Sequence, residues 1–156
     1  MSEFLFNKAR SVAITGHRNM KSGFDKENLT DIFYQLIDKG FDTFYIGMAL
    51  GFDTLCFQIL EKIREEKNIK LIACIPCPTQ AEKFSLEQKR EYDRMVLSAD
   101  EKVIISKKYT NNCMQKRNEY MVDNATVLVA YLRRSYGGTQ NTVEYARKNH
   151  VLLLYV

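Results

Sequence analysis

Three glycine-bearing stretches hold the residues best suited to chemistry: Thr15-Gly16-His17-Arg18, Gly47-Met48-Ala49-Leu50-Gly51-Phe52-Asp53 and Ser135-Tyr136-Gly137-Gly138-Thr139. Glycine permits positive φ and lets an anion approach the backbone with no Cβ in the way, which is why phosphate-binding loops use it. Arg18 offers a fork of donors to a phosphate, and the neighbouring His17 can donate to an anion or transfer a proton. Asp53 follows Gly51 where a carboxylate can cap the free N–H groups of a helix or accept from a ribose hydroxyl. Arg117 and Asn118 lie in a later helical stretch, from which an arginine could reach the same place.

The elements that must position these residues are legible as apolar runs alternating with amphipathic stretches. The runs are Ser11 to Thr15, Thr43 to Ile46, Lys70 to Ile75, Lys102 to Ile105, Thr126 to Tyr131 and Val151 to Val156. Most are apolar at nearly every residue, as expected for strands buried on both faces. Between them, Leu29, Ile32, Phe33, Leu36 and Ile37 repeat at helical spacing, as do Leu55, Cys56, Ile59, Leu60 and Ile63. Ala81, Phe84, Tyr92, Met95 and Val96 outline a longer third helix. A fourth is expected from Asn112 to Asn124, with Met114, Met121 and Val122 inward, and a fifth from about Gln140 to Asn149. The β-α alternation predicts one domain over residues 1–156, a three-layer α/β/α sandwich on a mostly parallel sheet of about six strands. In such sheets ligands bind at the carboxyl ends of the strands. The glycine stretches follow the first, second and fifth strands, so all three fall on that edge and form one pocket.

Composition narrows the classes. Of 156 residues, 46% are hydrophobic and 27% charged, the balance of a globular chain rather than a disordered one. A formal charge of +4 favours anionic ligands but falls short of a nucleic-acid footprint by itself. No apolar run approaches the roughly 20 residues of a membrane span, and Glu3, Asn7, Lys8 and Arg10 interrupt the opening Met1 to Ser11, so we expect a cytoplasmic chain without signal peptide. Four cysteines, at 56, 74, 77 and 113, are too scattered for a disulfide scaffold. Cys74 and Cys77 have redox spacing, but Cys74 ends an apolar strand and Pro78 follows, which favours structural thiols. The two histidines, 17 and 150, lie far apart and the cysteines lack a second pair with zinc spacing, so no obligatory metal is expected, although a nucleotide could bring Mg2+. His150 opens the last strand and reads as structural.

The combination of Val12-Ala13-Ile14-Thr15-Gly16-His17-Arg18, Gly47 to Asp53, Arg117-Asn118-Glu119-Tyr120-Met121-Val122-Asp123 and Gly137 to Glu144 resembles the SLOG superfamily, in its YpsA-like branch. The likeness covers essentially the whole chain. It implies a Rossmann-like fold and a nucleotide or nucleotide-derived ligand, held by Gly16, His17, Arg18, Gly47, Gly51, Asp53, Arg117, Asn118, Gly137, Gly138 and Thr139. The superfamily also includes LOG enzymes, which hydrolyse the N-glycosidic bond of nucleoside monophosphates, and the DNA-processing protein Smf/DprA. By likeness to LOG, Arg117 would hold phosphate or ribose, and Glu144 would stabilise an oxocarbenium-like centre or orient water. Met114 and Arg117 keep that motif while Asn118 replaces its lysine. Gly137, Gly138 and Glu144 match the second motif, whereas Gln140 and Asn141 stand where it has glycine and threonine. By likeness to DprA, single-stranded nucleic acid would be the partner, with Tyr109, Tyr131 and Tyr136 as stacking groups. Homo-oligomers are frequent in this superfamily, so self-association is a further expectation.

Overall fold

The computed structural model describes residues 7–156; Met1 to Phe6, which begin the stretch read above as lacking a signal peptide, lie outside them. In chain order the elements are β1 (Ser11–Gly16), α1 (Lys26–Asp38), β2 (Thr43–Ile46), α2 (Phe52–Ile63), β3 (Lys70–Ile75), α3 (Leu86–Ser98), β4 (Glu101–Ile104), α4 (Cys113–Asp123), β5 (Val127–Tyr131), α5 (Gly138–Lys148) and β6 (Leu152–Tyr155). The strands form one parallel sheet in the order β4-β3-β2-β1-β5-β6. The three-layer sandwich expected from the alternation, Rossmann-like as the resemblance implies, is the observed fold.

Period-two alternation along the strands divides the core. Val12 and Ile14 of β1 point into a cluster with Phe33 of α1, Phe57 of α2 and Met95 of α3. Ala13, between them, faces Met121 and Val122 of α4 and Val143 and Ala146 of α5. Successive strands step outward from β1 to β4, and the chain then returns to the other side of β1 to lay down β5. The order therefore reverses between β1 and β5, and register places Gly16 beside Tyr131 at the carboxyl ends of these two strands. A reversal of this kind leaves a crevice, because the connections on either side leave the sheet toward opposite faces.

Several local expectations need correction. The outer strands are not buried on both faces: β4 and β6 alternate or mix exposed with half-buried residues, since each has a neighbour on one side only. The third helix starts at Leu86 rather than near Ala81. Turns occupy the segment after Pro76 and Pro78, and Ser85 opens the helix through a capping box with Gln88. Ala81 and Phe84 still pack on the core, with the Phe84 ring edge-on to Tyr92 at 5.7 Å. In α4, Met114 is 46% exposed, and Cys113 and Arg117 take the inward positions with Met121 and Val122. Helix α5 begins two residues earlier than expected, which brings Gly138 and Thr139 into its first turn. His150 does not open the last strand. It is exposed at φ 60°, and the adjoining Val151 N–H bonds back to the Ala146 carbonyl, a left-handed helix stop.

Candidate functional site

The loops after β1 and β2 are pressed against each other at the crevice. The Phe52 N–H donates to the His17 carbonyl at 3.1 Å. A Cβ on Gly51, whose φ is 81°, would lie 2.1 Å from the Arg18 carbonyl oxygen, and one on Gly16 would lie 2.4 Å from the Phe52 ring. A Cβ on Gly47 would come within 2.9 Å of the Arg117 guanidinium carbon. The space freed at these three glycines is thus filled by protein, and the reason for them differs from the anion access expected above. They let two loops and a buried arginine close on one another.

Arg117 reaches inward from α4 and is only 6% exposed. Its Nη1 donates to the carbonyls of Gly47 and Cys74, at the ends of β2 and β3, the latter at 3.3 Å, and its Nε donates to Asn118 Oδ1 at 2.8 Å. Its Nη2 has no hydrogen-bond partner among the described residues. Gln80 also donates to the Gly47 carbonyl, at 2.9 Å, and accepts from Tyr92, which fixes that carbonyl from two sides. Burial lowers the Arg117 pKa, with nearby Asp53 opposing the change.

Asp53 sits in the first turn of α2 and caps the loop rather than the helix: its Oδ2 accepts from the Ala49 N–H at 3.1 Å. Its Oδ1 is buried without a partner. Burial pushes this carboxyl up to about 6, against the opposing pull of Arg117 and the Ala49 N–H. His17 is held from the other side. The Arg133 N–H donates to its Nε2 at 2.9 Å, which leaves the proton of a neutral ring on Nδ1. Nδ1 too is buried without a partner. Burial, followed by the charges of Arg134 and Arg133, lowers the His17 pKa and favours that neutral ring. Each unpartnered buried group costs about 1–3 kcal/mol.

Asp53 and His17 line one cavity of about 220 Å3, together with Gly16, Arg117, Asn118 and Ala49. Arg18, Arg134, Gly138 and Thr139 line it as well. There the first turn of α5 lacks a side-chain cap, Gly137 turns the chain at φ 99°, and a Cβ at Gly138 would meet nothing within 4 Å. Open N–H groups at a helix start, beside two arginines, are groups with which an anion can be held. Arg18 is exposed with no ion pair among the described residues, and Arg134 lies over the Tyr136 ring, 5.1 Å from its centroid. A larger depression of about 540 Å3 lies beside α2 and α3, but its Glu61 and Arg94 already pair with each other.

Most of the residues singled out from sequence therefore meet at one place. Gly47, Gly51 and Gly137 support the cavity without lining it. Glu144 lies one turn into α5, outside the lining, where it pairs with Arg147 and accepts from Gln140 at 3.3 Å. Tyr131 is buried, stacked on Phe52 and edge-on to His17, so it cannot stack on an external base as expected; Tyr136, 69% exposed, could. Sequence reasoning missed Arg134, although the Arg133-Arg134 pair just before Gly137 was a visible signal, and missed Met114 as a wall. All four cysteines are buried, and burial pushes Cys74 up to about 12, the reverse of what a redox thiolate needs. The described residues contain no group of three or more His, Cys, Asp or Glu side chains able to hold a metal ion, and no helix long and apolar enough to cross a membrane.

Known proteins share both the fold and the sequence pattern. The fold is similar to that of DNA processing protein A (DprA) from Streptococcus pneumoniae, with a TM-score of 0.70 at 16% identity over 95% of this chain and 50% of that one. It is also similar to DprA from Helicobacter pylori, whose structure was described for its single-stranded DNA binding mode, with a TM-score of 0.67 at 16% identity over 99% of this chain and 68% of that one. The chain thus spans half the length of the pneumococcal protein. In sequence it is 33% identical to the uncharacterised SPbeta prophage-derived protein YoqJ of Bacillus subtilis (strain 168), over 81% of this chain and 82% of that one. The model of the YspA SLOG family matches residues 8–151, which takes in every loop of the cavity, and the chain belongs to that family.

Proposed function

We propose that the cavity binds a nucleotide or nucleotide-derived small molecule, and that the protein acts as a sensing or regulatory module. The observation that carries this reading is an uncapped helix start flanked by Arg18 and Arg134 in one cavity, with the buried Arg117, Asp53 and His17 in the same lining. The volume of about 220 Å3 lies below the roughly 300–1,000 Å3 of sites that enclose drug-sized ligands, so a phosphate-bearing sugar fills it and a base extends outward. A divalent ion would arrive with the phosphates.

Thermal denaturation against nucleoside mono-, di- and triphosphates, NAD and ADP-ribose tests the reading. At about 100 Kd a ligand adds roughly 2.7 kcal/mol, which for a chain of this length raises Tm by about 5–10 °C. Arg134→Ala should reduce that rise. No rise from any compound, or a rise that Arg134→Ala and Arg117→Met leave unchanged, overturns the assignment.

A second reading is single-stranded nucleic-acid binding, supported by the DprA-like fold and by exposed Tyr136 beside Arg134. Oligonucleotide binding that weakens steeply with salt would support it, because phosphate contacts release counterions. The hydrolase reading has less support, since its carboxylate, Glu144, is paired with Arg147 outside the lining. Base release from nucleoside monophosphates, lost in Glu144→Gln, would restore it.

A further inference from the structure

The two edges of the sheet differ in how they meet solvent. Strand β4 carries Glu101 and Lys102, charges of the kind that keep an edge from pairing with another chain. Strand β6, at the other edge, reads Leu152-Leu153-Leu154-Tyr155 with Val156 after it, and has no charge, proline or bulge. Leu152 is 59% exposed and Tyr155 52%. The backbone of β6 is paired along one side only. The Leu152 N–H donates to the Thr126 carbonyl and the Val156 N–H to the Ala130 carbonyl, so residues 152, 154 and 156 turn their polar groups toward β5. In a parallel pair the residues between them turn theirs away. Leu153 and Tyr155 therefore each present an N–H and a C=O outward, a row that another strand matches.

We propose that a second copy of this chain covers β6, antiparallel to it, about a two-fold axis between Leu154 and its copy. A two-fold normal to the sheet keeps each face of the sheet on its own side, so a residue can lie opposite only residues of its own parity. Centred on Leu154, the pairing sets Leu153 opposite Tyr155 of the second copy and Tyr155 opposite its Leu153. Every outward N–H and C=O then finds a partner. Centring on Leu153 would instead set Tyr155 opposite Val151, whose N–H is already given to Ala146. The side chains agree with the backbone. Leu154 and Val156 pack on the α1 side of the sheet, and Leu153 on the α5 side with Tyr155, whose hydroxyl accepts from Arg147. Across the axis Leu154 meets its own copy, Leu152 meets Val156 and Leu153 meets Tyr155, apolar pairs that stabilise neighbouring strands. No like charges are opposed. Backbone and side chains are thus complementary to themselves, which assigns the place to a copy rather than to a foreign strand. The product is a continuous sheet of twelve strands, six from each copy, with the two cavities on opposite edges.

Sedimentation velocity of the full chain at about 100 μM should give the mass of a dimer, since an association with a Kd of about 10 μM is mostly complete there. Tyr155→Lys, at an exposed position, should leave the circular dichroism unchanged and raise Kd at least about tenfold. Oxidised single-cysteine variants read the register. Leu154 and its copy form the close, non-hydrogen-bonded pair, with Cα atoms about 4.5 Å apart and within disulfide reach. Leu154→Cys should therefore cross-link as a dimer. Leu153→Cys should not, because its copy lies two residues along the strand, beyond the roughly 7 Å limit between Cα atoms. The four native cysteines are buried and should stay unlinked. A monomer at about 100 μM, the result expected if a different chain covers β6, would overturn the proposal. So would a dimer that Tyr155→Lys leaves intact, or Leu153→Cys cross-linking as readily as Leu154→Cys.

Discussion

Replacing Asp53 by asparagine should make the protein more stable at pH 8. The carboxyl is pushed from 3.8 to about 6, with burial the largest cause. At about 1.4 kcal/mol per pH unit, holding this group ionised in the folded state costs about 3 kcal/mol relative to an unfolded chain. Because the folded value lies above the unfolded one, the folded protein holds an extra proton between about pH 4 and pH 6. Stability from this group is therefore highest below that window and falls as pH rises through it. Asparagine resembles the protonated side chain: its carbonyl can accept from the Ala49 N–H, as Oδ2 does at 3.1 Å. Its amide remains unpartnered in the cavity, which offsets part of the gain, so Asp53→Asn should add about 1–3 kcal/mol at pH 8. For a chain of this length that is a rise of about 2–12 °C in Tm. Urea unfolding of both proteins at pH 4, 6 and 8 measures it. The difference should shrink steadily toward pH 4. A variant no more stable than the parent at pH 8, or a gain of the same size at pH 4, would refute the claim that the fold tolerates a charge it would be more stable without.

Gly51→Ala should destabilise by well over about 1 kcal/mol in thermal denaturation, since a Cβ there combines positive φ with a 2.1 Å approach to the Arg18 carbonyl. Gly138→Ala, which meets nothing within 4 Å, should instead add about 0.4–1 kcal/mol while weakening phosphate binding. Arg117→Met removes the donor to two buried carbonyls and the positive charge near Asp53, and urea unfolding should register a loss of about 1–3 kcal/mol. Part of that loss should be recovered in the Arg117→Met, Asp53→Asn double variant, because the two residues interact. A thiol reagent should label none of the four cysteines in the native protein and all of them in denaturant, as each is buried.

The fold was legible because its signals are local and repeated. Apolar runs such as Thr43 to Ile46 and stripes such as Leu29, Phe33 and Leu36 state their period within a few residues, and both are realised. The start of α3 was not, because Ala81 and Phe84 are apolar for a turn that packs on Tyr92 rather than for a helix face. Periodicity cannot separate those two uses of an apolar residue. At the site, strand-end position was enough to bring His17, Asp53 and Gly138 together, but the purpose of the glycines was hidden. What fills the space beside Gly16 is Phe52, and beside Gly51 it is Arg18. Such contacts are set by how two loops meet, which neither loop's sequence states. The lack of partners at His17 Nδ1 and Asp53 Oδ1 is still less legible, since an unmade hydrogen bond leaves no trace in sequence.

These glycine contacts also explain how the site can hold its unsatisfied groups in place. A buried carboxylate and a buried imidazole would ordinarily rotate, or draw the backbone with them, until each found a partner. Here Asp53 is tied through Oδ2 to Ala49, and His17 through Nε2 to Arg133. The two loops that carry them are locked by the Gly51 and Arg18 contact and by the Phe52 N–H on the His17 carbonyl. Tyr131, packed between Phe52 and His17, closes the remaining direction. Each side chain is held by one of its two polar atoms, and the other stays enclosed without a partner. Arg18 and Arg134 are exposed and not held in this way, which suits the attraction of an anion from solution. Glycine at 51 thus shapes the cavity without lining it, whereas glycine at 16 both lines it and makes room for the Phe52 ring.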